Sequence, residues 1–239
     1  MASSSEEEAR QTGAPQNLRR HLRRLKELRG HDGKPPARLK ELKEWQARRL
    51  TATYEDFAAQ PRYRAATSFF IGDLYGAKDF SERDQAMLRI FPVMTRILPA
   101  TAVETAALAI ELEALSEELD QKLAAALAAG PITAATYAEA YRRSSTPVER
   151  ARQIELIDAV GHRLDALVRK PLVSHTLKLM RRPARMAGLA DLQDFLERGF
   201  AAFREMKGAD EFLATLRRRE GAFLSRLFSG EPDPFSPRV

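Results

Sequence analysis

Apolar residues recur at intervals of three and four along almost the whole of the 239-residue chain, and Gly or Pro closes nearly every such run. Spacings of three and four superpose side chains on one face of an α-helix, so the pattern dictates a succession of amphipathic helices. Strand signals are nearly missing. β-Branched residues are few, no apolar/polar alternation persists, and the Asp32-Gly33 pair lies between helical patterns instead of joining two alternating runs. The expected architecture is all-α, a single bundle-like domain of about nine or ten helices with a basic N-terminal helix.

The punctuation sets the expected bounds. Leu18, Leu22 and Leu25, extendable to Leu28, form a stripe that Gly30 ends. A second helix is expected from Arg38 to Gln60, stopped by Pro61, and a third from Arg62 to Tyr75, stopped by Gly76. Ser81 with Asp84 reads as a capping box for a fourth, which Pro92 interrupts and Pro99 ends. Thr101 with Glu104 reads as a second box, opening a long helix to Ala129 before Gly130-Pro131. Thr146 followed by Pro147 is an N-cap and N1 pair for a helix to Lys170. Pro171 opens a short helix ending at Arg182-Pro183, and helices over 134–143, 191–207 and 210–228 complete the set. The expected division is a disordered tail over 1–16, a basic helical arm over 17–49, a helical-bundle domain over 50–229 and a C-terminal tail over 230–239.

Charge is located, not spread. Residues 17–49 hold 12 Lys and Arg against 4 acids, whereas the whole chain carries only +6. In the arm Arg19, Arg20, Arg23 and Arg24 lie opposite the leucines, a pattern open to phosphate contacts on nucleic acid, to an anionic membrane surface, or to docking of the leucine stripe on this protein or a partner. Aromatic residues for single-strand stacking are absent from residues 17–30, and Trp45, flanked by charges, reads as an amphipathic cover, so docking on the body is the preferred reading. The sequence has no cysteine, which removes disulfides, thiolate metal sites and cysteine nucleophiles. Its N-terminus lacks a signal-peptide pattern, and no window approaches 18 uninterrupted apolar residues; a cytoplasmic location without a transmembrane segment is the expectation.

Three constellations are candidates for chemistry. In FFIGDLYGAKDFSERD, Asp73 falls beside Phe69 and Phe70 on a helix face, where a carboxylate needs a partner such as Arg83. Asp73, Tyr75, Asp79 and Asp84 could line a cleft with Asp73 as a general acid or base. The alternative, that they tie down a tight helix corner, is preferred, because one acid without a convergent second group is thin support for catalysis. The acidic run ELEALSEELD, residues 111–120, reads as the solvated face of a helix with Leu108, Leu112, Leu115 and Leu119 inside. A di-iron site is excluded, since no His has Glu three residues before it. Glu155, Asp158, His162 and Asp165, spaced 3, 4 and 3, form a polar stripe in which Asp158 could orient the His162 imidazole, with His175 as a neighbour, for acid–base or metal chemistry. No metal ligand set or cofactor is expected; glycine-rich phosphate loops and a Gly-x-Ser-x-Gly nucleophile are absent.

Phe69-Phe70, Asp73-Leu74-Tyr75-Gly76 and Asp79-Phe80-Ser81, with a downstream stretch from Leu179-Met180-Arg181 through Pro183-Ala184, Ala187-Gly188-Leu189, Leu192-Gln193 and Phe195-Leu196-Glu197 to Gly199-Phe200, resemble the motifs of an uncharacterised bacterial all-helical family. The resemblance spans Tyr54 to Phe228. It implies a helical fold and transfers no catalytic residue. Taken together, the sequence favours a non-enzymatic cytoplasmic interaction or scaffold module that binds a protein partner or itself. Nucleic-acid association through residues 17–49, and a helical enzyme using Asp73/Tyr75 or Asp158/His162, are the alternatives.

Overall fold

The centre of the fold is one long helix with partners on every side. In the computed structural model, which describes residues 2–30, 36–74 and 100–236, helix α5 (Ala100–Ala126) packs against α1 (Ala2–Arg29), α2 (Ala37–Thr53), α6 (Ala134–Ser144) and α7 (Pro147–Val168). Around this group lie α3 (Glu55–Ala59), α4 (Pro61–Phe69), a π-helical segment over Phe70–Leu74, α8 (Pro171–Met186), α9 (Ala190–Met206) and α10 (Asp210–Ser229). Helix α10 packs on α6 and α7, and α9 on α4, α7 and α8. Among the described residues there are ten α-helices and no strand, so the all-α expectation holds.

Several helix ends follow from local chemistry. Thr146 caps α7: its hydroxyl accepts the Glu149 N–H at 3.2 Å while Glu149 accepts the Thr146 N–H at 2.8 Å, with Pro147 at the first helical position. Thr133 and Thr136 make the same reciprocal pair at the start of α6. Pro171 opens α8, and Gly230, at φ +77°, terminates α10 in the left-handed conformation that L side chains resist.

Other expectations are corrected. The helix expected over 38–60 breaks at Tyr54 (φ −114°, ψ 23°), whose ring is buried and whose hydroxyl reaches Glu220 at 2.9 Å. Gln60 is extended because Pro61 disfavours a helical residue before it, so Pro61 begins α4 as well as ending α3. The next helix is regular only to Phe69 and then widens into the π-helical segment. Thr101 lies inside α5, not before it, and its expected box partner Glu104 turns to Arg163 at 2.7 Å. Pro183 lies within α8, in its last turn, where the carbonyl left without a donor belongs to solvent-facing Leu179. Helix α1 extends back to Ala2 through a stretch rich in the helix formers Ala, Glu, Gln and Arg. At the other end Phe235 packs 5.7 Å from Trp45 and 5.6 Å from Phe223, and Arg226 donates to the Ser236 carbonyl at 2.7 Å.

The largest correction concerns the acidic run. With α1, α2, α6 and α7 packed on it, α5 has no fully solvated acidic face there: Glu117 and Asp120 are buried and Glu111, Glu113 and Glu118 half-buried, while of the leucines read as inside Leu119 is buried and Leu108, Leu112 and Leu115 are half-buried. The cations that match these acids come from α1, α2 and α7. Arg24 pairs with Glu118 at 3.3 Å, Arg29 with Glu113 at 2.8 Å and Glu117 at 3.4 Å, Lys43 with Glu117 at 2.8 Å, and Arg152 with Glu111 at 2.8 Å. The leucine stripe does dock on the body: Leu18 and Leu22 are buried against Val103, Ala107 and Ile110.

The two stretches that carry the family resemblance meet in space. Phe69 packs 5.2 Å from the Phe195 ring, and a Cβ built on Gly199 would sit 2.7 Å from Phe69 Cζ. Gly199→Ala is therefore expected to cost about 1–2 kcal/mol, because a buried ring cannot swing aside as a flexible chain end can. The thermal midpoint of the variant measures it, and adding Phe69→Leu should recover most of the loss; an unshifted midpoint would show that α4 and α9 do not approach this closely.

Candidate functional site

Helices α2, α5, α6, α7 and α10 do not fill the space between them. They leave an interior cavity of about 60 Å³ whose walls are unusually polar for a bundle core. Arg49 enters from α2, Asp120 from α5, Tyr137 and Tyr141 from α6, Arg150 and Gln153 from α7, and Glu220 from α10, with Phe223 and Phe235 closing one side.

The charges in this wall fall into one satisfied group and one unsatisfied group. Glu220 accepts from Arg49 Nη1 at 2.7 Å and from the Tyr54 hydroxyl at 2.9 Å. Burial, reinforced by the Glu220 charge, holds the Tyr54 phenol well above its ordinary range. Burial alone would loosen the Arg49 proton, but Glu220 more than offsets it and the guanidinium stays charged. Arg49 also lies 5.5 Å from the Phe223 and Phe235 ring centres, close enough for cation–π attraction.

Arg150 is in a different position. It is 3% exposed and lies 4.2 Å from the Tyr141 ring centre. Its Nε donates to the Ser145 hydroxyl at 3.1 Å and its Nη1 to the Gln153 carbonyl at 3.2 Å, both neutral groups. Arg150 Nη2 and Arg49 Nε are buried without a hydrogen-bond partner. Asp120 accepts from Gln46 at 3.0 Å, and burial pushes its carboxyl above the ordinary range in spite of Lys43 and Arg150. Chemically this is a place for recognising charge. The Ser145 hydroxyl is already engaged, donating to the Tyr141 carbonyl at 2.8 Å, and no imidazole lines the cavity.

Those residues singled out from the sequence whose side chains are described lie elsewhere. Asp73 falls in the π-helical segment; Tyr75, Asp79, Arg83 and Asp84 lie outside the described residues, as does the side chain of Asp73. The polar stripe forms a ladder of ion pairs, at the surface except for Asp165, which is buried with its Oδ1 unpartnered. Glu155 meets Arg152 at 3.6 Å, His162 lies 3.5 Å from Asp158 and 3.6 Å from Asp210, Asp158 also meets Arg217 at 3.5 Å, and Asp165 is held by Arg169. Its effect is to tie α7 to α10. His175 is exposed on α8. Among the described residues no group of three or more His, Asp or Glu side chains is placed to hold a metal ion. Of the arm arginines, all four are exposed and Arg24 is paired with Glu118 and, at 3.9 Å, with Glu27. The sequence reading did not reach Arg49, Arg150 or Glu220, and it placed Asp120 on a solvated helix face.

Glu117 and Asp120, one helical turn apart, test this electrostatic picture by their opposite signs. Burial would raise the Glu117 carboxyl, but Lys43 and Arg29 more than offset it and hold it below the usual range. Its contribution is thus present at neutral pH and lost as pH falls through the folded value. Asp120 is raised, so its favourable contribution exists only below the unfolded value and is lost as pH rises through the folded one. At neutral pH Glu117→Gln should cost about 3 kcal/mol, whereas Asp120→Asn, which keeps the Gln46 bond, should cost nothing or stabilise. Denaturant unfolding at neutral and acidic pH reads the difference, which should close on acidification. An equal loss in both variants at neutral pH would contradict the assignment.

No curated protein and no solved structure matches the chain. A family model does, over residues 26–234, and the match takes in α2 and the cavity-lining residues other than Phe235, as well as the Tyr54–Phe228 stretch that carries the resemblance noted above. The chain therefore belongs to the family described as a domain of unknown function, DUF8198.

Proposed function

We propose that this chain is a cytoplasmic protein-interaction module whose docking face is the outer side of α8. The observation that carries the reading is a row of large apolar side chains standing in solvent: Leu172 at 68%, Leu179 at 64% and Met186 at 83% exposure. They are seven residues apart, so they share one edge of the helix, the arrangement in which one helix offers knobs to another. Isolated exposed apolar residues need no explanation, but three aligned on one edge do.

The charge of the same helix selects the partner. Helix α8 carries Lys178, Arg181, Arg182 and Arg185 and no acid. Arg181 is held by Glu197 through two 2.6 Å bonds, which leaves Lys178, Arg182 and Arg185 beside the apolar row. Like charges facing each other disfavour a second copy of α8, and an amphipathic partner helix with acidic flanks fits better. The nucleic-acid reading is weaker by comparison, because three of the cations in residues 17–49, Arg24, Arg29 and Lys43, direct their charge at α5.

Affinity capture with the full chain tests the reading. Proteins enriched by the parent should fall about tenfold with the double variant Leu179→Asp and Met186→Asp, while thermal stability stays within about 0.5 kcal/mol because both side chains are exposed. An unchanged set of captured proteins would remove α8 as the docking face. Loss of binding to anionic vesicles in place of proteins would assign the same face to a lipid surface.

A further inference from the structure

We propose that the interior cavity walled by Arg49 and Arg150 is a binding site for one small oxyanion, of the size of a short monocarboxylate or inorganic phosphate. This site is separate from the α8 face and does not depend on it.

The argument starts from an imbalance of charge. Arg150 is a fully formed guanidinium in the interior, and the groups it bonds, Ser145 and Gln153, are neutral. Among the described residues no carboxylate is within ion-pair distance of it: Glu220 is taken by Arg49 and Tyr54, and Asp120, which feels the Arg150 charge, accepts from Gln46. A buried cation without a directly paired counter-charge costs several kcal/mol, and a water molecule can satisfy a hydrogen bond without neutralising it. The unsatisfied donor, Nη2, belongs to this residue, and the unsatisfied Nε of Arg49 lies in the same wall. An acceptor group carrying negative charge would complete both. Guanidinium forks are the side chains best shaped to hold a planar or tetrahedral oxyanion.

Size narrows the class. At about 10–15 Å³ for each water site, a cavity of about 60 Å³ holds on the order of four waters, hence a ligand of about four or five heavy atoms. Formate, acetate, phosphate and sulfate fit; a nucleotide or an aromatic acid does not. Asp120, in the same wall, is held above the ordinary carboxyl range by burial, which lessens its opposition to a second negative charge.

The chain contains its own reporter. Its single tryptophan, Trp45, stacks 4.4 Å from Tyr137, which lines the cavity. Fluorescence of the full chain titrated with formate, acetate, phosphate and sulfate at constant ionic strength, with chloride as the reference salt, should show a saturable change at millimolar concentration or below. The oxyanion that saturates lowest separates a carboxylate site from a phosphate or sulfate site. Arg150→Gln should weaken that response at least about tenfold, the loss expected when one charge-assisted contact is removed. Should this variant fail to fold, crystals of the parent grown with selenate supply the second measurement, and an anomalous peak between Arg49 and Arg150 is expected. No saturable response to any of the four oxyanions, an undiminished response in Arg150→Gln, or only ordered water between the two arginines would overturn the proposal.

Discussion

Everything in this fold is arranged around the acids of α5. A helix with neighbours on all sides would ordinarily be apolar all round, yet residues 100–126 carry six acids and one lysine. Carboxylates placed at such a core must be neutralised or protonated. The molecule uses both solutions on the same helix: Lys43 and Arg29 converge on Glu117, while Asp120 has a neutral amide from Gln46 and a raised proton affinity. The concentration of positive charge in residues 17–49 is, for Arg24, Arg29 and Lys43, the complement of this helix. Hydrophobic docking of Leu18, Leu22 and Leu25 sets the contact, and the ion pairs fix its register.

The same constraint explains why the interior holds a polar cavity. Helices α2, α7 and α10 bring the charged side chains Arg49, Arg150 and Glu220 to the end of α5 near Asp120, and these do not all cancel. Glu220, Arg49 and Tyr54 close on one another, whereas Arg150 is left with neutral partners. A polar void of this kind, lined by cations and aromatic rings, differs from a packing defect, which would be dry and apolar. The outer side of α8 is the opposite case, with apolar side chains left in water beside uncompensated positive charge.

Local chemistry was readable in the sequence wherever it is self-contained. The Thr146–Pro147 cap and the Pro171 start each depend on a few neighbouring residues, and the structure shows them as read. The leucines of α1 were read correctly as a docking stripe for the same reason. What could not be read depends on the surroundings of a helix. Periodicity takes the polar side of a helix to be its wet side, so Glu117 and Asp120 were assigned to solvent when α1 and α2 in fact cover them. Tyr54 continues an unbroken apolar stripe, and its break follows from the side-chain bond to Glu220, a residue far along the chain. Arg150 carries no signal in the sequence that separates it from a surface cation. Its burial against Tyr141 depends on how α6 and α7 are joined, and one residue type in one helix does not encode that. Gly199 was visible only as part of a motif; its function as the place where Phe69 fits required both helices in position.

The central claim is that the basic N-terminal helix is an integral part of the fold because it neutralises and covers α5. Native-state hydrogen exchange, followed residue by residue, tests this most directly. If α1 is integral, the amides of Leu18 to Leu25 will share the slow, global-unfolding exchange of the α5 segment around Ile110 to Leu119. Fast exchange over Leu18 to Leu25, with α5 remaining protected, would show that α5 is stable without its cationic cover and would contradict the account.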